Sequence, residues 1–377
     1  MKRNVTRIAL VVICLSLLAH AQLDKIVIPA GTPEDKALQA ITNEQDQSKK
    51  LAMYQEFLQT FASNPAAVAY GNWQISQYYQ TEGDMQKGLE YGDKALEGSP
   101  HNLDILVSQA DIAQRVKNNA KVMEYAVRGG NAYNSIGKQT KAEGVSDQDL
   151  ASRIEDEKTS SKNSYEFLEA AAYNVIAAEP DAKTRMTYIE QFSPAFPGSR
   201  FEEQINSYAM VSLSDLKDMN RLVAFGEKAL AANPKSVSTL MLLANAYVDD
   251  PKPGSVAKAV DYAQKAIKEA KADAPDADRS RKLSAGVAHS TLGYAYMKQD
   301  KTAAAIPELK MSADLLKGQD EQQYAIALYR LGYAYAKLSK MTEAREVLNE
   351  AIKIAGPVQQ LAQDLLVKVN AARAKGK

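Results

Sequence analysis

Along most of the chain, apolar residues recur three and four positions apart, a spacing that places them on one face of a helix. Two segments repeat the pattern most closely. One reads Leu-x-x-Leu-Gly-x-x-Tyr from Leu328, the other reads His-x-x-Leu-Gly-x-x-Tyr from His289, and both contain Leu-Gly-Tyr-Ala-Tyr. Gly293 and Gly332 hold the same place in the two copies and are 39 residues apart. The pattern predicts an all-α chain built from repeated helix pairs.

Weaker copies of the pattern lie closer to the N-terminus. One begins at Leu240 and another at Ile75. A longer duplication overlies them, because YGDKALEGSPHNLDIL from Tyr91 parallels FGEKALAANPKSVSTL from Phe225. Small residues such as Gly293 are expected to let the two helices of a pair approach closely. The duplication predicts two tandem blocks of similar helix pairs.

These copies resemble the tetratricopeptide repeat (TPR) family, whose motif spans about 34 residues and includes Leu-Gly, Tyr, Ala and a closing Pro. The resemblance covers most of residues 47–357. It implies a TPR-like α-solenoid, a right-handed superhelix of antiparallel helix pairs. The predicted domains are a signal peptide over 1–21, an N-terminal TPR-like block over 22–140, a linker or insertion over 141–163, and a C-terminal TPR block with a capping helix over 164–377.

The predicted elements follow the repeats. After an extended lead-in over 22–31, a helix starts at Pro33 with Thr32 as its N-cap. The pattern breaks over 129–163, where Ser146 and Asp149 predict a capped, charged helix. The other predicted elements are a helix over 47–62, helix pairs over 66–100, 103–129, 164–197, 203–234, 237–272, 286–318 and 325–356, and a last helix over 358–373.

The first 21 residues have the organisation of a secretory signal peptide. Three positive residues precede a continuous apolar stretch over 8–19, and Ala19 and Ala21 place small residues at −3 and −1 of a cleavage site. Cleavage is predicted between Ala21 and Gln22, and the alternative is an uncleaved N-terminal anchor. The short positive region and the Ala-x-Ala site favour a bacterial protein that is periplasmic or secreted.

Charge and cysteine content narrow the possible partners. Lys plus Arg equals Asp plus Glu at 46 each, and removal of the three basic residues of the leader leaves a net charge of −3. No electrostatic attraction to nucleic acid is therefore expected. Cys14, the only cysteine, leaves with the leader. The mature chain is thus expected to have no disulfide, no cysteine-ligated metal and no membrane span.

Residue patterns that carry chemistry are missing. The mature chain has two histidines, His101 and His289, and no H-E-x-x-H, so a zinc site lacks ligands. It contains no G-x-S-x-G, P-loop or G-x-G-x-x-G. No enzyme activity, catalytic residue, metal or cofactor is therefore expected, and His289 is expected to have a packing or surface role.

What remains is the concave groove that the TPR resemblance implies, where ligands of the family lie against the first helix of each pair. Tyr, Trp and Met favour peptide recognition, although such residues could instead pack against neighbouring helices. The carboxylate clamp of the family is not expected, because Met241 stands where a Lys would precede Asn245. The candidate groove residues are Trp73, Gln77, Asp111, Asn245, Tyr294, Met297, Tyr329 and Tyr333.

Taken together, the sequence predicts an exported, non-catalytic scaffold or adaptor that binds a protein or peptide through its groove. The alternative is an accessory subunit of an envelope-assembly machine, acting in outer-membrane protein or polysaccharide biogenesis.

Overall fold

The computed structural model describes residues 25–138 and 144–375. Within these residues the chain forms seventeen α-helices and no strand, as the sequence predicted. The helices are α1 Pro33–Asn43, α2 Gln47–Thr60, α3 Pro65–Thr81, α4 Met85–Gly98, α5 Leu103–Arg115, α6 Asn119–Ser135, α7 Asp147–Ala178, α8 Ala182–Ala195, α9 Glu202–Asp215, α10 Met219–Ala232, α11 Val237–Val248, α12 Ser255–Ala270, α13 Arg279–Lys298, α14 Thr302–Leu316, α15 Glu321–Lys337, α16 Met341–Ala351 and α17 Gln359–Lys375. Consecutive helices pack against one another from α1 to α6 and from α9 to α17, as the helix pairs of a TPR-like α-solenoid do.

The internal duplication is visible in the caps of the helices. Asp84 caps α4 and Asp218 caps α10, while Asn102 caps α5 and Ser236 caps α11. In all four, the side-chain oxygen accepts a hydrogen bond from the backbone N–H three residues on, which satisfies an otherwise unpaired donor of the first turn. Equivalent polar residues therefore start equivalent helices in the two blocks.

Small residues bring the helices of each C-terminal pair together. A Cβ on Gly293 would lie 2.6 Å from Cγ of Leu309, and a Cβ on Gly332 would lie 2.6 Å from Cγ of Leu348. Both leucines are completely buried. The close approach predicted for these two glycines is therefore confirmed, and it fixes how α13 packs on α14 and α15 on α16.

The predicted pattern break over 129–163 is helical at both of its ends, over 129–135 and 147–163. α6 continues through Gly129 and Gly130 to Ser135, and α7 runs unbroken across the predicted boundary between 163 and 164. The glycines are part of the packing, since a Cβ on Gly129 would lie 2.2 Å from Cδ1 of Leu168. The predicted cap is present, because the backbone N–H of Asp149 donates to Oγ of Ser146 at 3.0 Å.

The described residues form two compact units. The first ends at Val175 and takes in Gln191–Pro197, and the second comprises Ile176–Glu190 and the chain from Gly198 onward. The unit boundary thus falls near the end of α7, whereas the sequence placed the start of the C-terminal block at residue 164. We refer below to the first and second units.

Two further predictions concern the signal peptide and membrane-spanning segments. The signal peptide and its cleavage site at Ala21 and Gln22 lie outside the described residues. Among the helices that the structure describes, none combines the length and the apolar character needed to cross a bilayer.

Candidate functional site

The second unit contains an open cavity of about 510 Å³. Side chains of α13 and α15 form most of its wall, and residues that follow α11 and precede α17 complete it. Its lining residues are Asp249, Tyr294, Met297, Lys298, Ile326, Tyr329, Arg330, Tyr333, Lys337 and Val358. A volume of this size lies in the range of small-molecule and side-chain pockets.

Four of the residues predicted for the groove line this one cavity: Tyr294, Met297, Tyr329 and Tyr333. Tyr294 and Tyr333 hold equivalent places in α13 and α15, and Tyr329 precedes Tyr333 by about one turn on the same face. Tyr333 is 46% exposed, whereas Met297 is 8% exposed, so the tyrosine is open to solvent and the methionine is buried. The repeat pattern therefore brought these four side chains together as expected.

The other four candidates lie elsewhere. Asn245 is exposed and accepts a hydrogen bond from Oγ1 of Thr291 at 2.6 Å, and it does not line the cavity. The remaining three belong to the first unit. Asp111 pairs with Arg115 at 2.7 Å.

Trp73 and Gln77 lie on α3 of the first unit, four residues apart. Gln77 is exposed and Trp73 is partly buried. The indole Nε1 of Trp73 is buried and has no hydrogen-bond partner among the residues that the structure describes. These two residues remain candidates for a contact surface on the first unit, and whether they bind a partner stays a prediction.

The cavity also contains an arginine that the sequence did not single out. Arg330 is partly buried, and its Nη1 donates to Oγ of Ser290, itself 1% exposed, at 2.9 Å. Its guanidinium carbon lies 4.6 Å from the centre of the Tyr294 ring, within the range of a cation–π contact. The sequence does contain an indication of this residue, because Arg330 is a charged residue between Tyr329 and Leu331 in an otherwise apolar stretch.

Asp249 organises one rim of the cavity. Its Oδ1 accepts from the hydroxyl of Tyr294 and from Nζ of Lys298, each at 3.1 Å. On the other side, Nζ of Lys337 pairs with Asp300 at 2.8 Å. Both rim lysines thus have carboxylate partners, and each partner lies in the second unit.

Burial is the largest cause of the pKa shift at two ionisable groups of the cavity, Arg330 and Tyr329. It lowers the pKa of the Arg330 guanidinium from its ordinary value, against the opposing effect of Tyr294 and Asp249. An arginine nevertheless stays protonated at any physiological pH. Burial, with Tyr333 and Tyr294 nearby, also raises the pKa of Tyr329. At neutral pH the Tyr329 hydroxyl is therefore protonated and can donate a hydrogen bond.

In chemical terms the cavity offers positive charge, hydroxyl groups and apolar surface to a ligand. Its ionisable groups are one arginine, two lysines, one aspartate and three tyrosines. Among the described residues, no group of three or more His, Cys, Asp or Glu side chains is placed to hold a metal ion. His289, elsewhere in α13, contacts Oε2 of Glu308 through Nδ1 at 2.6 Å.

Comparison with known proteins places the repeat in this part of the chain. Residues 290–358 match the family model described as "Tetratricopeptide repeat". The matched segment runs from α13 to Val358 and includes every cavity residue except Asp249. No curated protein sequence matches the chain.

Several solved structures are similar to the chain. A thermophilic TPR protein from Thermus thermophilus is 16% identical, with a TM-score of 0.39, and the match covers 55% of this chain and 99% of that one. A tetratricopeptide repeat protein from Parabacteroides merdae is 12% identical, with a TM-score of 0.34 and coverage of 89% and 98%.

Proposed function

We propose that this chain, a protein with tetratricopeptide repeats, is a non-catalytic scaffold that binds a peptide segment of a partner protein in the tyrosine-lined cavity of its second unit. The repeat is that of a protein-interaction scaffold. The observation that supports the site is the convergence of Tyr294, Tyr329 and Tyr333 on one open cavity. Tyrosine offers a large contact area at a low cost in side-chain entropy, which suits it to peptide recognition.

The position of the tyrosines favours binding over a purely structural role. Tyr333 leaves nearly half of its surface in solvent, although an apolar ring of that size is stabilised by burial. Met297, a buried residue that also lines the cavity, supplies deformable apolar surface. A partner side chain that covered Tyr333 would bury this surface.

A pair of photo-crosslinking variants tests the site. Replacing Tyr333 with p-benzoylphenylalanine is expected to capture the partner, because the probe then lies at the mouth of the cavity. Met311 on α14 is the matched control, since it is 48% exposed and does not line the cavity. Illumination in the producing cells, followed by mass spectrometry of the adducts, measures both.

Partners should be recovered from position 333 and not from position 311. Equal capture at the two positions would contradict a site in this cavity. A fixed set of envelope-assembly proteins at position 333 would identify the partner class of the alternative function, an accessory subunit of such a machine.

Export is a separate part of the proposal. The leader over residues 1–21 is expected to direct the chain out of the bacterial cytoplasm, to the periplasm or the medium, and to be removed. The intact mass of the exported protein is expected to correspond to a chain that begins at Gln22. A mature species that retains residues 1–21 would contradict cleavage and favour an uncleaved anchor.

A further inference from the structure

The cavity holds a positive charge that the protein itself leaves unpaired. Arg330 forms no ion pair with any residue that the structure describes, and its polar contacts are the hydrogen bond to Ser290 and the cation–π contact with the ring of Tyr294. A guanidinium has five N–H donors, of which Ser290 uses one. Removing such a group from water is costly unless a partner compensates it.

The other charges of the cavity do not supply that partner. Lys298 is paired with Asp249 and Lys337 with Asp300. Asp249 is near enough to act on Arg330 through space, yet its Oδ1 already accepts from Tyr294 and Lys298. The two lysine–aspartate pairs are neutral overall, so the cavity has a net positive charge that Arg330 carries.

Aromatic and aliphatic side chains lie beside this charge. Tyr329 and Tyr333 flank Arg330 in α15, and Ile326 lies one turn before it. The hydroxyls of both tyrosines have no hydrogen-bond partner in the described part of the chain and can donate to an incoming acceptor. A ligand that fits must therefore combine an anionic group with apolar groups beside it.

We propose that the cavity recognises a glutamate side chain of the bound peptide, flanked by aromatic or aliphatic residues, through an ion pair with Arg330. This inference rests on the proposed function. A carboxylate matches the planar fork of a guanidinium and can accept two parallel hydrogen bonds from it. A glutamate places that carboxylate at the end of a flexible stem, so it can reach the partly buried arginine while the peptide backbone stays at the level of Tyr333.

Matched peptides test this preference on the full-length mature protein. The probes are acetyl-Gly-Leu-Phe-Glu-Phe-Leu-Gly-amide and the same peptide with Gln in place of Glu, whose blocked ends leave the side chain as the only difference in charge. Isothermal titration calorimetry at low and physiological salt measures both dissociation constants. The Glu peptide is expected to bind about tenfold more tightly or better, as for a hydrogen bond to a charged group.

Variants assign the preference to the arginine. Arg330→Gln is expected to bring the Glu and Gln peptides to within about twofold of each other. Arg281→Gln is the matched control, because Arg281 is an exposed arginine of α13 outside the cavity. It is expected to preserve the full preference for the Glu peptide.

Asp249→Asn gives a second measurement that does not depend on the folding of the Arg330 variant. Asp249 is exposed, and its negative charge opposes an acidic ligand. Its removal is expected to tighten binding of the Glu peptide about two- to fivefold, the scale of an exposed charge interaction. The ratio of the two dissociation constants is the quantity measured, and it should widen in favour of the Glu peptide.

The outcomes separate the inference from the function on which it rests. Equal affinity for the Glu and Gln peptides, with Tyr333→Ala weakening both, would overturn the glutamate preference and leave peptide binding in the cavity intact. Binding that requires a free C-terminal carboxylate, or a preference that persists in Arg330→Gln, would also overturn the inference. Absence of binding by both peptides, together with no partner capture at position 333, would overturn both proposals.

Discussion

Replacing Tyr294 and Tyr333 together with alanine is expected to weaken binding of a captured or selected peptide more than tenfold while the helix content stays unchanged. The two rings hold equivalent places in consecutive repeats and line one cavity. An aromatic hot spot contributes on the order of 2 kcal/mol or more to binding, which exceeds a factor of ten in affinity. Titration calorimetry and circular dichroism of the double variant measure the two quantities.

The folding cost of this double variant is expected to be small compared with its effect on binding. Tyr333 is 46% exposed, and Tyr294 packs at the edge of the buried core of the second unit. Tyr296→Ala is the matched control, because Tyr296 is also a partly buried tyrosine of α13 but does not line the cavity. It should retain peptide affinity.

Two results would redirect the search for the binding surface. If the double variant unfolds, the tyrosines belong to the core, and Tyr333→Ala alone then reports on binding. If it folds and binds as tightly as the parent protein, the peptide lies elsewhere. Trp73 and Gln77 on α3 would be the next residues to replace.

The repeat pattern was enough to predict the helix pairs, and four of the eight candidate groove residues line the cavity. Its periodicity is a local property, so it places Tyr294 and Tyr333 on matching faces without knowledge of the rest of the fold. Asn245 occupies a similar place in α11, but its side chain meets Thr291 of a later repeat. Which exposed positions are already engaged depends on contacts between repeats that the pattern of one repeat does not contain.

The same reasoning explains why the repeat pattern did not identify Arg330 as a candidate site residue. Its importance lies in the absence of a carboxylate partner, and that depends on Ser290 and Asp249, which are 40 and 81 residues away along the chain. Sequence spacing predicts the helix face of an arginine. It does not predict whether a distant acidic residue pairs with a neighbouring lysine instead.

The prediction that the helical pattern breaks at residue 129, the first of two consecutive glycines, Gly129 and Gly130, was wrong for a related reason. Glycine is a weak helix former, so two in succession suggest a break in a helix. In α6 the missing side chains allow close packing against residues of the first unit that are much later in the sequence. The gain from this packing outweighs the propensity of the two residues, and α6 continues to Ser135.

Gly130→Ala is expected to destabilise the protein by about 1–2 kcal/mol. A Cβ at this position would lie 2.6 Å from the backbone oxygen of Ala195 and 3.0 Å from the ring of Phe196. Overpacking of this kind costs about 1–3 kcal/mol, and the better helix propensity of alanine returns up to about 1 kcal/mol. Urea unfolding followed by circular dichroism measures the difference.

The clash at Gly130 cannot be relieved cheaply, because the atoms it would meet are held in place. The Ala195 oxygen accepts a hydrogen bond from Nδ2 of Asn134 at 2.7 Å, and both Ala195 and Phe196 are buried. Gly88→Ala in α4 is the matched control, since its Cβ would come no nearer than 3.3 Å to a side chain, Cγ of Gln80, and no nearer than 3.7 Å to a backbone atom. At position 88 the higher helix propensity of alanine should outweigh the cost of steric contact, so Gly88→Ala is expected to be as stable as the parent protein or more stable. Equal stability of Gly130→Ala and Gly88→Ala would contradict this prediction. It would mean that α6 lies further from residues 195–196 in solution, and that close packing does not require glycine at positions 129 and 130.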